Sequence, residues 1–108
     1  MSQEQDQAQE QKTASFEALH LPPAALEQGG VEVLRAIIVD GGLHVSMRRA
    51  FDDPQAWGML LADVARHASR VFQQEMNQSA EEALERIRAI FDAEMDAPSD
   101  PGSTSALS

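Results

Sequence analysis

The sequence has no cysteine, which excludes a disulfide framework, a thiolate nucleophile and a cysteine-based zinc or iron-sulfur site. It also lacks any apolar run near the roughly 20 residues of a transmembrane helix. Met1 is followed by Ser, Gln and Glu, whereas an export signal begins with basic and then apolar residues. We therefore expect a cytoplasmic protein without a membrane span.

The short motifs of the common enzyme classes are missing as well. The chain contains no nucleophile elbow, P-loop, dinucleotide fingerprint, HExxH zinc motif or EF-hand loop. Its 108 residues can form one modest domain, in which the expected elements imply no deep cleft. We predict no catalytic residue and no cofactor, and a non-enzymatic protein is favoured over an enzyme.

Basic residues are few, with 8 Lys and Arg against 18 Asp and Glu and a formal net charge of -10. The acids concentrate towards the ends, because residues 1–30 and 77–108 carry net charges of -4 and -5 while residues 31–76 carry -1. Acidic ends repel phosphate backbones. A nucleic-acid partner is therefore not expected.

The two ends also lack the apolar residues that folding requires. Residues 1–15 alternate Gln with Glu, Asp and Ala, and residues 97–108 are rich in Ser, Pro and Gly. Neither composition offsets the entropy of ordering a chain, so both ends are predicted to be disordered. Residues 16–96 then form a single α+β domain.

A β-hairpin is predicted for residues 31–39 and 43–51, joined by the turn residues Asp40, Gly41 and Gly42. A two-residue turn at Asp40 and Gly41 makes four cross-strand pairs: Ile38 with Leu43, Ala36 with Val45, Leu34 with Met47, and Glu32 with Arg49 as an ion pair. A turn at Gly41 and Gly42 would instead set Arg35 opposite Arg48. The first register is favoured because it avoids that like-charge pair.

Two helices are predicted to follow the hairpin. Asp53 and Pro54 start a long amphipathic helix over about 54–76, in which Trp57 is expected to anchor the core. Ser79 and Glu82 form a capping box for a second helix over about 79–96. We expect the hairpin to pack on the long helix. A strap over 16–26, with a short helix between Pro22-Pro23 and Gly29-Gly30, is expected to cross the core.

The back of the hairpin carries more apolar surface than a monomer would leave in water. Its apolar members are Val31, Val33, Ile37 and Val39. A domain of this size draws only about 3–5 kcal/mol from its own core. We therefore expect a homodimer, with the second helix or the back of the hairpin at the interface. Alternatively, the strap and the second helix cover that face within one chain.

Four side chains on the same back face are a candidate ligand site: Arg35, His44, Ser46 and Arg48. Two guanidinium groups beside a hydroxyl suit a carboxylate or a phosphate. Arginines also commonly pair with acids of their own fold, and this structural interpretation remains open.

His67 is a second candidate, because Asp63 lies one helical turn before it and could orient its imidazole. The pair could also supply two metal ligands, but a third would have to come from His20 or His44, which the sequence does not bring close. We therefore predict no metal site. A histidine at the edge of the apolar stripe, hydrogen-bonded to a neighbour, is the structural alternative.

Three segments carry a resemblance to a known family: DGGLHVS over 40–46, DPQAWG over 53–58 and LADVARH over 61–67. Together with LPPAAL over 21–26, the stretch from Leu21 to Phe72 resembles the domain-of-unknown-function family 5076, which consists of small bacterial, mainly alphaproteobacterial proteins. The resemblance implies a compact bacterial domain and supplies no activity, cofactor or catalytic residue.

The sequence as a whole favours a non-enzymatic, homodimeric protein-interaction module, with a second copy as the expected partner and another protein as a further candidate. The alternative function is a small-molecule or anion-binding protein, or a weak catalyst. It would use either Arg35, His44 and Arg48 or the pair Asp63 and His67.

Overall fold

The computed structural model describes residues 15–99 and 102–107. Its elements are α1 (Pro23–Gln28), β1 (Leu34–Val39), β2 (Gly42–Arg48), α2 (Pro54–Met76), α3 (Ala80–Asp96) and β3 (Ser103–Leu107). This content confirms the predicted α+β class. Residues 1–14, which were predicted to be disordered, lie outside the described residues. No helix in the described part of the chain combines the length and hydrophobicity needed to cross a bilayer.

The chain divides into two compact units, Met1–Val31 and Glu32–Ser108, so the predicted domain over residues 16–96 extends across both. In the first unit, α1 begins at Pro23 and ends at Gly29, whose φ of 78° suits glycine. Both ends of this short helix agree with the sequence prediction. The packing of the strap across a core remains a prediction.

The hairpin turns where the favoured register requires. Asp40 and Gly41 both have positive φ angles, 51° and 82°, as a two-residue type I′ turn demands. The observed pairs include Ile38 with Leu43, Ala36 with Val45 and Leu34 with Met47. The first register is therefore confirmed.

The predicted ion pair between Glu32 and Arg49 is wrong. The paired residues of the hairpin end at Leu34 and Met47, so Glu32 lies beyond the last pair and is not held opposite Arg49. Its carboxylate contacts the guanidinium of Arg35 at 3.2 Å instead. The Arg49 guanidinium lies 3.9 Å from the Asp52 carboxylate.

A third strand, β3, pairs in parallel with β2 and gives the sheet order β1-β2-β3. Of the segment 97–108, which was predicted to be disordered, residues 103–107 form this strand. Thr104 is the one residue of β3 with a clear preference for strands, but the edge of β2 offers a row of backbone donors and acceptors for pairing. Pairing at that edge, rather than local composition, orders residues 103–107.

The helices α2 and α3 pack against each other as a helical hairpin, and their bounds closely match the predicted ones. The Asp53 side chain accepts a hydrogen bond from the Gln55 amide at 2.9 Å. The Ser79 hydroxyl accepts one from the Glu82 amide at 3.3 Å. These two caps satisfy backbone donors at the helix starts, which explains why the sequence located the helices so well.

The predicted packing of the β-hairpin on α2 is wrong. Among the described elements, the contacting pairs are β1 with β2, β2 with β3, and α2 with α3. Trp57 is half-buried and holds the connection between β2 and α2: its Nε1 donates to the Arg49 carbonyl at 3.0 Å, and its ring meets Phe51 edge-on at 5.7 Å. The side chain expected to anchor a sheet-helix core thus fixes the connection instead.

Candidate functional site

The register of the sheet brings four predicted site residues to one side of it. Arg35 lies opposite Ser46, while His44 lies opposite Ile37. Because side chains alternate along a strand, Arg48 shares this side with Ser46 and His44. We call Arg35, His44, Ser46 and Arg48 the polar face of the sheet.

Both arginines of the polar face interact with Glu32. The Arg35 guanidinium lies 3.2 Å from the Glu32 carboxylate, with both side chains about half exposed (45% and 54%). Arg48 donates from Nε to the Glu32 backbone carbonyl at 3.0 Å. This backbone bond fixes the base of the Arg48 guanidinium and employs one of its five N–H donors.

The strand β3 extends the polar face with hydroxyl groups. Its register places Ser103 beside His44 and Ser105 beside Ser46. The Ser103 hydroxyl is hydrogen-bonded to Nδ1 of His44. Sequence reasoning missed both serines, and their spacing of two residues is a signal that could have found them.

The second predicted pair, Asp63 and His67, lies on the exposed surface of α2. Nδ1 of His67 lies 3.4 Å from Nη1 of Arg70, one helical turn later. This contact agrees with the structural interpretation of a surface histidine bonded to a neighbour. The described residues include no group of three or more His, Asp or Glu side chains able to hold a metal ion.

The opposite side of the sheet, which we call its apolar face, is formed by Leu34, Ala36, Ile38, Leu43, Val45 and Met47. None of these side chains is buried. Ile38 and Leu43, which face each other across the strands, are 68% and 41% exposed. The apolar face is therefore accessible to solvent.

A groove of about 530 Å³ runs between the two long helices. We call it the helical groove. It is lined by Gly58, Leu61, Ala62, Ala65, Arg66, Leu84, Ile87, Arg88, Phe91, Asp92 and Met95. Sequence reasoning missed this groove. The signal was a row of small residues at helical spacing on α2, Gly58, Ala62, Ala65 and Ser69, of which Ser69 is buried.

The polar face and the helical groove suit different chemistry. The polar face offers guanidinium, hydroxyl and imidazole donors, which bind anions. The helical groove offers aliphatic and aromatic side chains with Arg66, Arg88 and Asp92 among its lining, which suits apolar groups of another molecule.

Comparison with known proteins places the chain in a family. No curated protein matches it. A solved structure described as a "putative pyruvate dehydrogenase" from the photosynthetic bacterium Rhodopseudomonas palustrus is 41% identical and superposes with a TM-score of 0.66, covering 89% of this chain and 100% of that one. The family model of the domain of unknown function DUF5076 matches residues 18–99. Since this match covers well over half of the sequence, the chain belongs to the DUF5076 family.

Proposed function

We propose that this protein is a non-enzymatic interaction module that forms a homodimer, in which the sheet of each copy packs on the helical groove of the other. The observation that carries the proposal is that the apolar face and the helical groove lie on the same chain but do not cover each other. Layers of sheet and helix normally bury their apolar sides together.

The exposed side chains on the two surfaces account for an interface of ordinary size. Five large side chains on the apolar face are matched by five in the helical groove: Leu34, Ile38, Leu43, Val45 and Met47 against Leu61, Leu84, Ile87, Phe91 and Met95. Burying their exposed halves removes roughly 300–600 Å² of apolar area per copy. Because interfaces are about 57% apolar, this area corresponds to roughly 500–1,050 Å² per partner, which brackets the typical value of about 800 Å².

A reciprocal arrangement also explains why a second copy is a better occupant than an unrelated protein. Each chain carries one apolar face and one helical groove, so two chains related by a two-fold axis satisfy both surfaces at once. Such closure leaves neither of these two surfaces free to bind a third copy, so the assembly ends at two chains.

The dehydrogenase name of the similar structure is not extended to this chain. Enzymes place a few polar groups inside a concave, mostly enclosed site. Here the polar groups lie along a sheet surface, and the groove between the helices is lined mainly by apolar side chains.

Neighbouring residues of β1 provide a matched pair of variants to test the dimer. Ile38 belongs to the apolar face, whereas Val39 points to the opposite side and is similarly exposed, at 49%. We expect Ile38→Lys to weaken the dimer about 150-fold or more, because the dimer carries the substitution twice and each side chain is worth roughly 1.5–3 kcal/mol of burial. Val39→Lys should leave the dimer intact. Light scattering of the full chain across a concentration series measures both, and a wild-type monomer at micromolar concentration would refute the proposal.

Mixing variants tests which surfaces meet. Leu61→Lys alters the helical groove and should weaken the dimer as Ile38→Lys does. When the two variants are mixed, one sheet-groove contact of the heterodimer is free of both substitutions, so association should recover in part. A sheet-to-sheet dimer would tolerate Leu61→Lys, and a groove-to-groove dimer would tolerate Ile38→Lys. Either of these results would contradict the reciprocal arrangement.

A further inference from the structure

The polar face of the sheet concentrates hydrogen-bond donors around one position. Ser46 is at its centre, with Arg35 opposite on β1 and Ser105 beside it on β3. His44 and Arg48 lie two residues to either side along β2, about 6.6 Å away. Arg35 also lies diagonally across from Arg48, at a Cβ distance of roughly 7–8 Å that long side chains readily span.

The charges on this face favour an anion. The chain as a whole has a net charge of -10, yet Arg35 and Arg48 lie on the same side of a three-stranded sheet. Glu32 meets Arg35 in an exposed pair three residues apart. Exposed pairs of this kind contribute little stability, so an anion bound with better geometry can displace the Glu32 carboxylate.

The number of donors distinguishes a phosphate from a carboxylate. One guanidinium can satisfy a carboxylate through two parallel hydrogen bonds, which would leave the second arginine and the hydroxyl groups without a role. A tetrahedral phosphate has three or four oxygens pointing in different directions. It can therefore accept from Arg35, Arg48 and the hydroxyls of Ser46 and Ser105 together.

We propose that the polar face binds a phosphate group, either as the free anion or as a small phosphate ester. Arg35 and Arg48 supply charge-assisted hydrogen bonds from two sides, and Ser46 and Ser105 donate between them. His44, hydrogen-bonded to Ser103, forms one end of the site. The family match ends at residue 99, so the hydroxyls of β3 lie outside the matched region.

This site does not depend on the proposed dimer, because the dimer buries the opposite side of the sheet. The two proposals can therefore fail separately. Loss of phosphate binding would leave the dimer intact, and a monomeric chain could still bind phosphate.

The test is a titration of the full chain followed by ¹H–¹⁵N NMR, with ionic strength held constant by chloride. Inorganic phosphate should cause saturable shifts of the backbone amides in the polar face and in residues 103–105. Glycerol 3-phosphate tests the ester: tighter binding than inorganic phosphate identifies an ester as the ligand, and equal binding identifies the free anion. Acetate that binds as tightly as phosphate, or phosphate shifts that do not saturate, would overturn the inference.

Two arginines in similar pairs provide a matched control. Arg35 pairs with Glu32, and Arg49 pairs with Asp52, three residues apart in each case. Arg35→Gln should weaken phosphate binding about tenfold or more through loss of a charge-assisted bond. Arg49→Gln should change it by less than about twofold. Equal losses would show general attraction to positive charge and would contradict a specific site.

Ser46→Ala keeps the test valid if Arg35→Gln disturbs the sheet. This substitution removes one exposed hydroxyl and no charge, and we expect phosphate binding about threefold weaker. Unchanged binding would remove Ser46 from the site and overturn the proposed geometry.

Discussion

The helical hairpin and the sheet of this chain differ in how far their side chains are buried and capped within one chain. The helices bury Ser69 and Ala83, each 4% exposed, and both begin at side-chain caps, Asp53 and Ser79. In the sheet, no strand residue whose exposure is described is buried. Its backbone pairs are formed, but its apolar side chains still face solvent.

This contrast shows that local signals and apolar cover are separate requirements. In the helical hairpin, side chains of the same chain cap both helices, and the two helices contact each other. The sheet satisfies its backbone hydrogen bonds within the chain but not the burial of its side chains. Since small sheets need a covered face for stability, we expect the sheet to depend on its partner more strongly than the helices, which already contact each other within one chain.

The largest effect should come from the helix-helix contact. Ala83→Leu adds volume at a buried position and should lower the free energy of unfolding by about 1–3 kcal/mol through overpacking. Ala89→Leu places the same side chain at an exposed position of the same helix and should change it by less than about 0.5 kcal/mol. Urea unfolding followed by helical circular dichroism measures both. Equal effects would show that the helical hairpin is no more tightly packed than the sheet.

The sequence predicted those parts of the fold that neighbouring residues determine. The caps at Asp53 and Ser79 and the regular apolar spacing fixed the helices. The Asp40-Gly41 turn fixed the hairpin register, and the shared face of Arg35, His44 and Ser46 followed from it. Strand alternation and helix capping act over a few residues, which explains why a single sequence was enough.

The parts that the sequence did not predict depend on a choice among several available partners. β3 is ordered by the open edge of β2, about 60 positions earlier in the chain. Trp57, expected in a core between sheet and helix, bonds to the Arg49 carbonyl in the connection between β2 and α2. His67 meets Arg70 rather than Asp63, because several turns of one helix offer it competing partners.

Replacing one glycine in the sheet and one in the helices should change the free energy of unfolding in opposite directions. Gly41 has a φ of 82° in the hairpin turn, so Gly41→Ala should destabilise the sheet by about 1–2 kcal/mol. Gly58 lies within α2 with no atom within 4 Å of an added Cβ, so Gly58→Ala should stabilise the helix by roughly 0.8–1 kcal/mol. Urea unfolding followed by amide signals from each element separates the two. A destabilising Gly58→Ala would mean that the groove has no room for a methyl group.

The smallest expected effect concerns the cap of α3. Ser79→Ala removes the acceptor for the Glu82 amide and should cost about 0.5–1 kcal/mol, towards the lower end of measured caps because the bond is long and exposed. Ser79→Asp restores an acceptor and should recover most of that loss, although Glu81 and Glu82 in the first turn oppose a further negative charge. The readout is the urea midpoint of the helical signal. If Ser79→Ala shifted the amide signals of the sheet as strongly as those of α3, the sheet and the helices would be one cooperative structure. The contrast between a self-supported helical hairpin and a partner-dependent sheet would then be wrong.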